Sequence, residues 1–331
     1  SDMASYKPVS GWDNKELVWV DKDVDGDWSV LQNSRPWTTT GTKTNAAVTD
    51  NDNLGTSVAL NKGSTLAVVG APNYGTGLIT PYVRSEGGTL LESNSVTVST
   101  IGDSVDGFGA SVAAGDDYVV VGAPETQSDA GAVFLYYIDS AGTFNRRPSI
   151  RPSDITVNDK FGTRVVLTGN GRYLFASAPG ANKVYAYAFV DISTSLEKSF
   201  TISTTGGATY SLDFVPQSIQ ALNVVDENGK VYLPNKDFTL SNDQLTFTST
   251  PASSLDIVVR QQDYFAQVAS FSGHDSSIGD NFGFSLDADY TGETVAVGAP
   301  QAAVPNATST VLGEAGEAYV FAQVVETFVG N

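Results

Sequence analysis

Several residue types are scarce in this chain, and each scarcity excludes a class of functional site. The 331 residues include no cysteine, one histidine and one methionine. Without cysteine the chain has no disulfide framework and no zinc-thiolate centre, and one histidine cannot build a histidine-based zinc site. No nucleophile motif accompanies the histidine, so Ser-His-Asp catalysis has no support in the sequence.

Basic residues are also few, with 18 lysines and arginines against 37 acidic residues and a formal net charge of -19. Such a surface repels phosphate backbones and anionic membranes, so we expect neither nucleic acid nor a membrane among the partners. No apolar stretch approaches the length that spans a bilayer, and the first residues contain no apolar core of a signal peptide.

A long apolar stripe with helical spacing is missing as well. Short runs of strand-forming residues instead alternate with glycine, asparagine, aspartate, serine and threonine, and the chain holds 32 glycines and 13 prolines. This pattern predicts an all-β protein.

One pattern occurs four times along the chain. An aspartate stands two residues before a Phe-Gly or Leu-Gly pair, at Asp52, Asp106, Asp159 and Asp280. The pairs themselves are Leu54-Gly55, Phe108-Gly109, Phe161-Gly162 and Phe282-Gly283. Each pair is followed 15 or 17 residues later by Ala-Pro, at Ala71-Pro72, Ala123-Pro124, Ala178-Pro179 and Ala299-Pro300. Agreement at this many positions indicates a structural repeat.

The residues of the repeat indicate what it forms. The runs YVVVGAP, LAVVGAP and TVAVGAP are apolar on both faces, which predicts central strands between neighbouring sheets. The glycine permits close approach of another backbone, and the proline ends the strand. A third strand follows Ala-Pro, and a fourth begins at Leu91, Phe144 or Phe265. A unit of about 54 residues with four strands is typical of one propeller blade, so we predict a small β-propeller of four to five blades.

These residues resemble the FG-GAP repeat of the integrin α-chain propeller and of many bacterial and viral surface proteins. The resemblance covers residues 16–198 and 261–323, and we assign residues 1–198 and 261–331 to the propeller. Ser177 stands where the repeat has the glycine before Ala-Pro. The turns between Phe-Gly and Gly-Ala-Pro are too short for the calcium loops of integrin-type blades, so those calcium sites are not expected here.

Residues 199–260 differ in character and interrupt the third repeat. Short β-runs alternate with turns, of which Asp226-Glu227-Asn228-Gly229 is a strong hairpin signal. The segment resembles a small β-domain of tail-fibre and other virion proteins of tailed phages, notably marine ones. We therefore predict a small β-sandwich-like domain inserted into the propeller.

The main candidate metal site is the stretch DKDVDGDW. Four alternating carboxylates around Gly26 resemble the first half of an EF-hand calcium loop, namely Asp21, Asp23, Asp25 and Asp27. The twelfth position of such a loop is Gln32, which cannot supply the bidentate acid. The alternative interpretation is a solvated acidic turn between two strands. A weaker calcium candidate is formed by Asp287, Asp289 and Glu293, and the histidine, His274, is expected in a surface loop.

These expectations together favour a phage virion protein of the tail fibre or distal tail. The propeller would attach to a glycan or protein of the host surface, the partners would include other virion proteins and further copies of the chain, and we expect no enzymatic activity. One alternative is a secreted or cell-surface bacterial adhesin with a calcium-supported propeller. Another is a polysaccharide-degrading enzyme that uses an acidic pair. The location would be the virion tail or the extracellular space, and the sequence does not identify the ligand-binding residues.

Overall fold

The computed structural model describes residues 19–22, 28–31, 44–85, 90–93, 96–97, 105–192, 198–232, 234–305, 311–312 and 315–323. Their regular structure is almost entirely β-strand, which confirms the predicted all-β class. The short segment Thr126–Asp129 has left-handed residues at Gln127 and Ser128 and is a turn, and brief 3-10 turns lie at Pro179–Ala181 and Ile219–Ala221. In this part of the chain, no helix has the length and apolar character that crossing a membrane requires.

The chain divides into two units, Ser1–Lys43 and Thr44–Asn331. In the first unit, strands β1 (Trp19–Lys22) and β2 (Trp28–Leu31) form an antiparallel hairpin in which Lys22 pairs with Trp28.

Four antiparallel sheets in the second unit each contain one copy of the sequence repeat, and we call them the first to fourth repeat sheets. The first consists of β3 (Ser57–Leu60), β4 (Leu66–Ala71), β5 (Leu78–Arg84), β6 (Leu90–Glu92) and β7 (Val96–Thr97). The second consists of β8 (Ser111–Ala114), β9 (Tyr118–Ala123), β10 (Ala132–Ile138) and β11 (Phe144–Arg146). The third begins with β12 (Val165–Leu167), β13 (Tyr173–Ala178) and β14 (Lys183–Val190).

The chain then forms two further small sheets before it returns to the third repeat sheet. Their strands are β15 (Ser199–Ser203), β16 (Thr209–Ser211), β17 (Leu222–Asp226), β18 (Val231–Tyr232), β19 (Phe238–Ser241), β20 (Gln244–Phe247) and β21 (Asp256–Gln261). The sheet orders are β15-β21-β17-β18 and β16-β20-β19. Residues of both sheets share one buried core that includes Leu222, Phe238, Leu245 and Ile257. The predicted domain limits at 199 and 260 stay a prediction.

The remaining strands complete the third repeat sheet and form the fourth. Strand β22 (Tyr264–Phe271) pairs with β14, so the third repeat sheet has the order β12-β13-β14-β22. The fourth repeat sheet contains β23 (Ser285–Ala288), β24 (Thr294–Ala299) and β27 (Glu317–Ala322), and a separate hairpin pairs β25 (Val304–Pro305) with β26 (Val311–Leu312). Strands β4, β9, β13 and β24 all end at the alanine before proline, as the sequence predicts.

One backbone hydrogen bond recurs in all four repeat sheets and explains the pairing of Phe-Gly with Gly-Ala-Pro. The amide of the glycine in the Phe-Gly or Leu-Gly pair donates to the carbonyl of the residue before Ala-Pro, at 2.9 to 3.1 Å. These four glycines have φ angles from 92° to 98°, a conformation that an L side chain rarely adopts. The aspartate of the pattern closes a turn in three of the four copies. Asp52, Asp159 and Asp280 each accept a hydrogen bond from the backbone amide three residues earlier.

Consecutive repeat sheets pack face to face around the phenylalanine of the pattern. Phe108 is fully buried between the first and second sheets, and Phe161 and Phe282 are fully buried at the next two junctions. Glycine is needed where the backbones approach, because a Cβ on Gly122 would lie 2.0 Å from the carbonyl oxygen of Gly162. At the third junction Ser177 replaces glycine, and its hydroxyl accepts from the Arg164 amide at 3.1 Å.

The prediction that the central strands are buried on both faces is confirmed for β9 and wrong for β24. Every residue of Tyr118–Ala123 is buried, because sheets pack on both of its faces. In β24, however, Thr294 and Ala296 are exposed while Val295 and Val297 are buried. The reason is that, among the described residues, a sheet packs against only one face of the fourth repeat sheet.

The first strands of consecutive repeat sheets lie against one another, β3 on β8, β8 on β12, and β12 on β23. Serine side chains join two of these contacts. Ser57 Oγ donates to the Gly109 carbonyl at 2.7 Å, and Ser111 Oγ accepts from the Val165 amide at 2.9 Å. This arrangement brings the turns that follow the four first strands to the same end of the assembly.

Candidate functional site

The predicted calcium residues of the first unit fall mostly outside the described part of the chain. Asp21 belongs to strand β1, whereas Asp23, Asp25 and Asp27 lie outside the described residues. Within the ranges that the structure describes, no three histidine, cysteine or acidic side chains are grouped so that they could hold a metal ion. Calcium binding at Asp21 to Asp27 therefore stays a prediction.

The weaker calcium candidate is a hydrogen-bonded turn. The Asp289 carboxylate accepts from the Gly292 amide at 2.7 Å, from the Thr294 amide at 3.2 Å and from the Thr291 hydroxyl at 2.9 Å. These hydrogen bonds lower the pKa of Asp289, and the bond from the Thr294 amide contributes most to the shift. Because its oxygens are already engaged within the turn, this carboxylate stabilises the β23–β24 connection.

His274 lies in an exposed loop after β22. Its side chain is 83% exposed, and Nε2 lies 3.4 Å from Oδ2 of Asp275. Asp275 in turn accepts a 2.8 Å hydrogen bond from the Tyr319 hydroxyl, which also contacts Glu317. Burial and these two carboxylates raise the pKa of Tyr319, so the phenol stays protonated and acts as a donor.

The strongest candidate site is a cleft of about 760 Å³ at the end of the assembly where the four turns meet. We call it the turn cleft. It receives side chains from the β3–β4, β8–β9, β12–β13 and β23–β24 connections, among them Lys62, Asp116, Asp117, Asn170, Arg172 and Tyr290.

Side-chain contacts between these turns hold the rim of the turn cleft together. Lys62 Nζ donates to the Tyr290 hydroxyl at 2.8 Å, which joins the first repeat to the fourth across 228 residues of sequence. This hydrogen bond is the main cause of the raised pKa of Lys62. Asn61 Nδ2 donates to Asp116 at 2.9 Å and so joins the first repeat to the second.

The third and fourth repeats meet at Gly169, where any side chain would collide with Tyr290. A Cβ on Gly169 would lie 2.3 Å from Cδ2 of the tyrosine ring. The amide of Asn170 also donates to the Tyr290 carbonyl at 3.3 Å. Backbone and side chain together therefore fix the position of this aromatic ring at the rim.

Both aromatic rings and polar side chains line the turn cleft. The ring of Tyr118 packs edge-on against Phe189 and Phe265, and its buried hydroxyl has no hydrogen-bond partner within the described structure. Burial raises the pKa of Tyr118 far above its ordinary range. At the rim, Asp116, Asp117 and Arg172 are exposed. A cleft lined by aromatic rings together with many polar and charged groups suits a small ligand that carries both apolar and polar surface.

These four turns were not identified as a site from the sequence. The turns that contain Lys62, Asp116 and Arg172 were considered only as too short for calcium loops, and the turn that contains Tyr290 was considered only as a weak calcium candidate. The feature of the sequence that could have identified them is that they occupy the same position in each repeat, because equivalent turns of sheets stacked around one centre must lie near one another.

Comparison with known proteins gives no family for this chain. No protein-family model matches it, and no curated protein matches it by sequence. The FG-GAP resemblance and the phage resemblance of residues 199–260 therefore stay predictions from the sequence.

Several solved structures show a distant likeness. A putative 6-phosphogluconolactonase from Bacteroides fragilis has a TM-score of 0.35 and 11% identity, covering 80% of this chain and 70% of its own. The periplasmic gluconolactonase of Pseudomonas aeruginosa has a TM-score of 0.31 and 16% identity, covering 81% of this chain and 88% of its own. A protein from Lactobacillus plantarum has a TM-score of 0.30 and 12% identity, covering 78% of this chain and 70% of its own.

These likenesses correct one prediction. Two of the three structures carry lactonase names, which contradicts our prediction that the chain is not an enzyme, and that prediction is withdrawn. The names describe those proteins, and likenesses at this TM-score carry no argument for an activity of this chain.

Proposed function

We propose that the four repeat sheets are blades of a small β-propeller and that its turn cleft binds a glycan of a host cell surface. The observation that carries this proposal is the convergence of equivalent turns from all four repeats on one open cleft. In a propeller such turns surround the central axis, and a ligand bound there contacts every blade.

Three observations support the propeller. The same amide-to-carbonyl bond closes each repeat sheet, and the first strands of the first to fourth sheets lie against one another in order, β3 on β8, β8 on β12 and β12 on β23. The hydrogen bond between Lys62 and Tyr290 connects the first repeat with the fourth, which a linear stack of four sheets would keep apart.

The chemistry of the lining supports a sugar ligand. Tyr290 is 52% exposed, so part of its ring is free to stack on the apolar face of a pyranose. Exposed Arg172 offers donors and exposed Asp117 offers acceptors for sugar hydroxyls.

The proposed biological setting is attachment of a phage virion to its host, with the chain in the tail fibre or distal tail beside other virion proteins. The support is the resemblance of the repeats to surface-protein propellers and of residues 199–260 to virion β-domains. A calcium-supported bacterial adhesin is the alternative setting, and both settings use the same binding surface.

A glycan array prepared from host-envelope sugars tests the binding proposal. The parent chain should retain one group of glycans, and Tyr290→Ala and Arg172→Ala should each weaken retention at least about tenfold through loss of stacking or of a charged hydrogen bond. Tyr74→Ala is the matched control, because Tyr74 follows the Ala-Pro end of β4, opposite the turn that contains Lys62.

Release of reducing ends, measured on the same glycans, shows whether a retained sugar is also cleaved. Retention of no glycan, or retention that neither cleft substitution weakens, would overturn the proposal.

A further inference from the structure

A second cavity, of about 420 Å³, lies where the second repeat sheet meets the inserted sheets. We call it the basic cavity. Its lining comes from the residue after β11, from the start of β15 and from the end of β21, namely Arg147, Lys198, Ser199, Arg260, Gln261 and Gln262.

Strand pairing brings the backbone segments of two of the cations together. Ser199 of β15 pairs with Arg260 of β21, and the Gln261 amide donates to the Lys198 carbonyl at 2.9 Å. Lys198, directly before β15, and Arg260, in β21, therefore lie in neighbouring segments at one edge of the insertion. Arg147 approaches from the second repeat sheet, where its guanidinium lies over the ring of Tyr137 at 4.9 Å from the ring centroid.

The charge of this cavity is opposite to that of the whole chain. Three of the lining residues are cationic and none is acidic, although the chain has 37 acidic residues against 18 basic ones. In the described part of the chain, none of the three cations forms an ion pair with a carboxylate. Like charges that line one cavity repel one another, and an anion bound between them reduces this repulsion.

Unmade hydrogen bonds at the same place provide a second, independent indication. Arg147 Nε and Gln262 Oε1 are buried and have no hydrogen-bond partner within the described structure. Leaving buried polar atoms unpaired is unfavourable, and a small movement of the Arg147 side chain would let a ligand oxygen accept from Nε. Rotation of the Gln262 amide would present its NH₂ group to the same ligand.

We propose that the basic cavity binds one oxyanion, a carboxylate or sulfate group carried on a sugar. A guanidinium binds such a group with paired hydrogen bonds, and an ammonium adds a point charge. The net negative charge of the chain repels a long polyanion, so a single charged group on a small sugar fits better than a phosphate chain.

Calorimetric titration with four probes, namely glucuronate, a sulfated hexosamine, inorganic sulfate and glucose, tests this proposal. At least one of the two acidic sugars should bind, glucose should not bind at this site, and added salt should weaken binding. The comparison of the acidic sugars identifies the carboxylate or the sulfate, and binding of inorganic sulfate alone would contradict the sugar part of the proposal.

Two of the cations are exposed, so substituting them should leave the fold intact. Lys198→Gln and Arg260→Gln should each weaken binding of the acidic sugar about tenfold. Arg164→Gln is the matched control, because the Arg164 guanidinium lies over the Phe284 ring, away from the basic cavity. Equal binding by the parent and both cavity variants, or equal binding of glucose, would overturn the proposal.

The two sites are distinguished by their own variants. Tyr290→Ala should weaken glycan retention in the turn cleft at least about tenfold and leave the titration with the acidic sugar unchanged. Failure of one proposal therefore leaves the other testable.

Discussion

At the scale of single residues, the glycine before Ala-Pro determines how closely two repeat sheets pack. Gly122→Ala would place a Cβ 2.0 Å from the Gly162 carbonyl oxygen, which is backbone and cannot move aside. We expect a loss of about 1–3 kcal/mol in the free energy of unfolding from this overpacking, measured by urea denaturation.

Gly63→Ala is the matched control. Its nearest neighbours would be side-chain atoms of Thr65 at 3.7 Å, which is ordinary contact. Surface changes of this kind alter stability by about 0.5 kcal/mol or less. Equal losses in the two variants would show that the close approach at Gly122 does not determine the packing.

A single carboxylate gives a pH-dependent prediction. Asp154 accepts from Lys183 Nζ at 2.7 Å and from the Tyr185 hydroxyl at 3.0 Å, and the lysine bond is the main reason why the pKa of Asp154 is lowered. A lowered folded-state pKa adds stability above the unfolded value of about 4, and this stability is lost as the pH falls through the folded value.

Asp154→Asn should therefore lower the free energy of unfolding at pH 7 by about 0.5–1 kcal/mol, a small amount because both partners are partly exposed and screened. The difference should shrink towards zero as thermal melts are repeated at decreasing pH below about 4. Asp50→Asn, in an exposed turn, is the control. A difference that stays constant with pH would exclude the ionised carboxylate as its cause.

At the scale of elements, the sequence predicted the strands better than their surroundings. The ends of β4, β9, β13 and β24 follow from proline, which has no amide to donate. The exposed face of β24 could nevertheless not be predicted from its apolar sequence, because the sequence of one strand does not determine how many sheets pack against it. Strand identity is a local property, and burial depends on neighbours far away in the sequence.

The inserted sheets have their own core, so they should be removable. The Ile192 amide donates to Asp263 at 2.7 Å, which places the two ends of the insertion next to each other. We expect a chain in which a short Gly-Ser turn joins Ile192 to Gln262 to fold, because β14 and β22 can still pair as a hairpin.

Circular dichroism and a cooperative thermal transition would check this deletion variant. It should keep glycan retention in the turn cleft and lose binding of the acidic sugar, since Lys198 and Arg260 leave with the insertion. A variant without a cooperative transition would show that the repeat sheets depend on the inserted core.

At the scale of the whole molecule, the site could not be predicted from the sequence in detail. Lys62 and Tyr290 are 228 residues apart and become neighbours only through the stacking of all four repeat sheets. The repeat in the sequence predicts that the sheets stack, but it does not predict which side chains of the turns come into contact. Our prediction that the chain has no enzymatic activity likewise had no site behind it, and it is withdrawn.

The central claim is that the repeat sheets surround one cleft and do not form an open row. The absence of cysteine makes a direct test clean, because introduced thiols have no competitors. Lys62→Cys combined with Tyr290→Cys should be joined in high yield by a short bismaleimide, with the linked peptide identified by mass spectrometry, whereas Tyr74→Cys combined with Tyr290→Cys should not. Absence of the 62–290 link in the folded protein would contradict the claim.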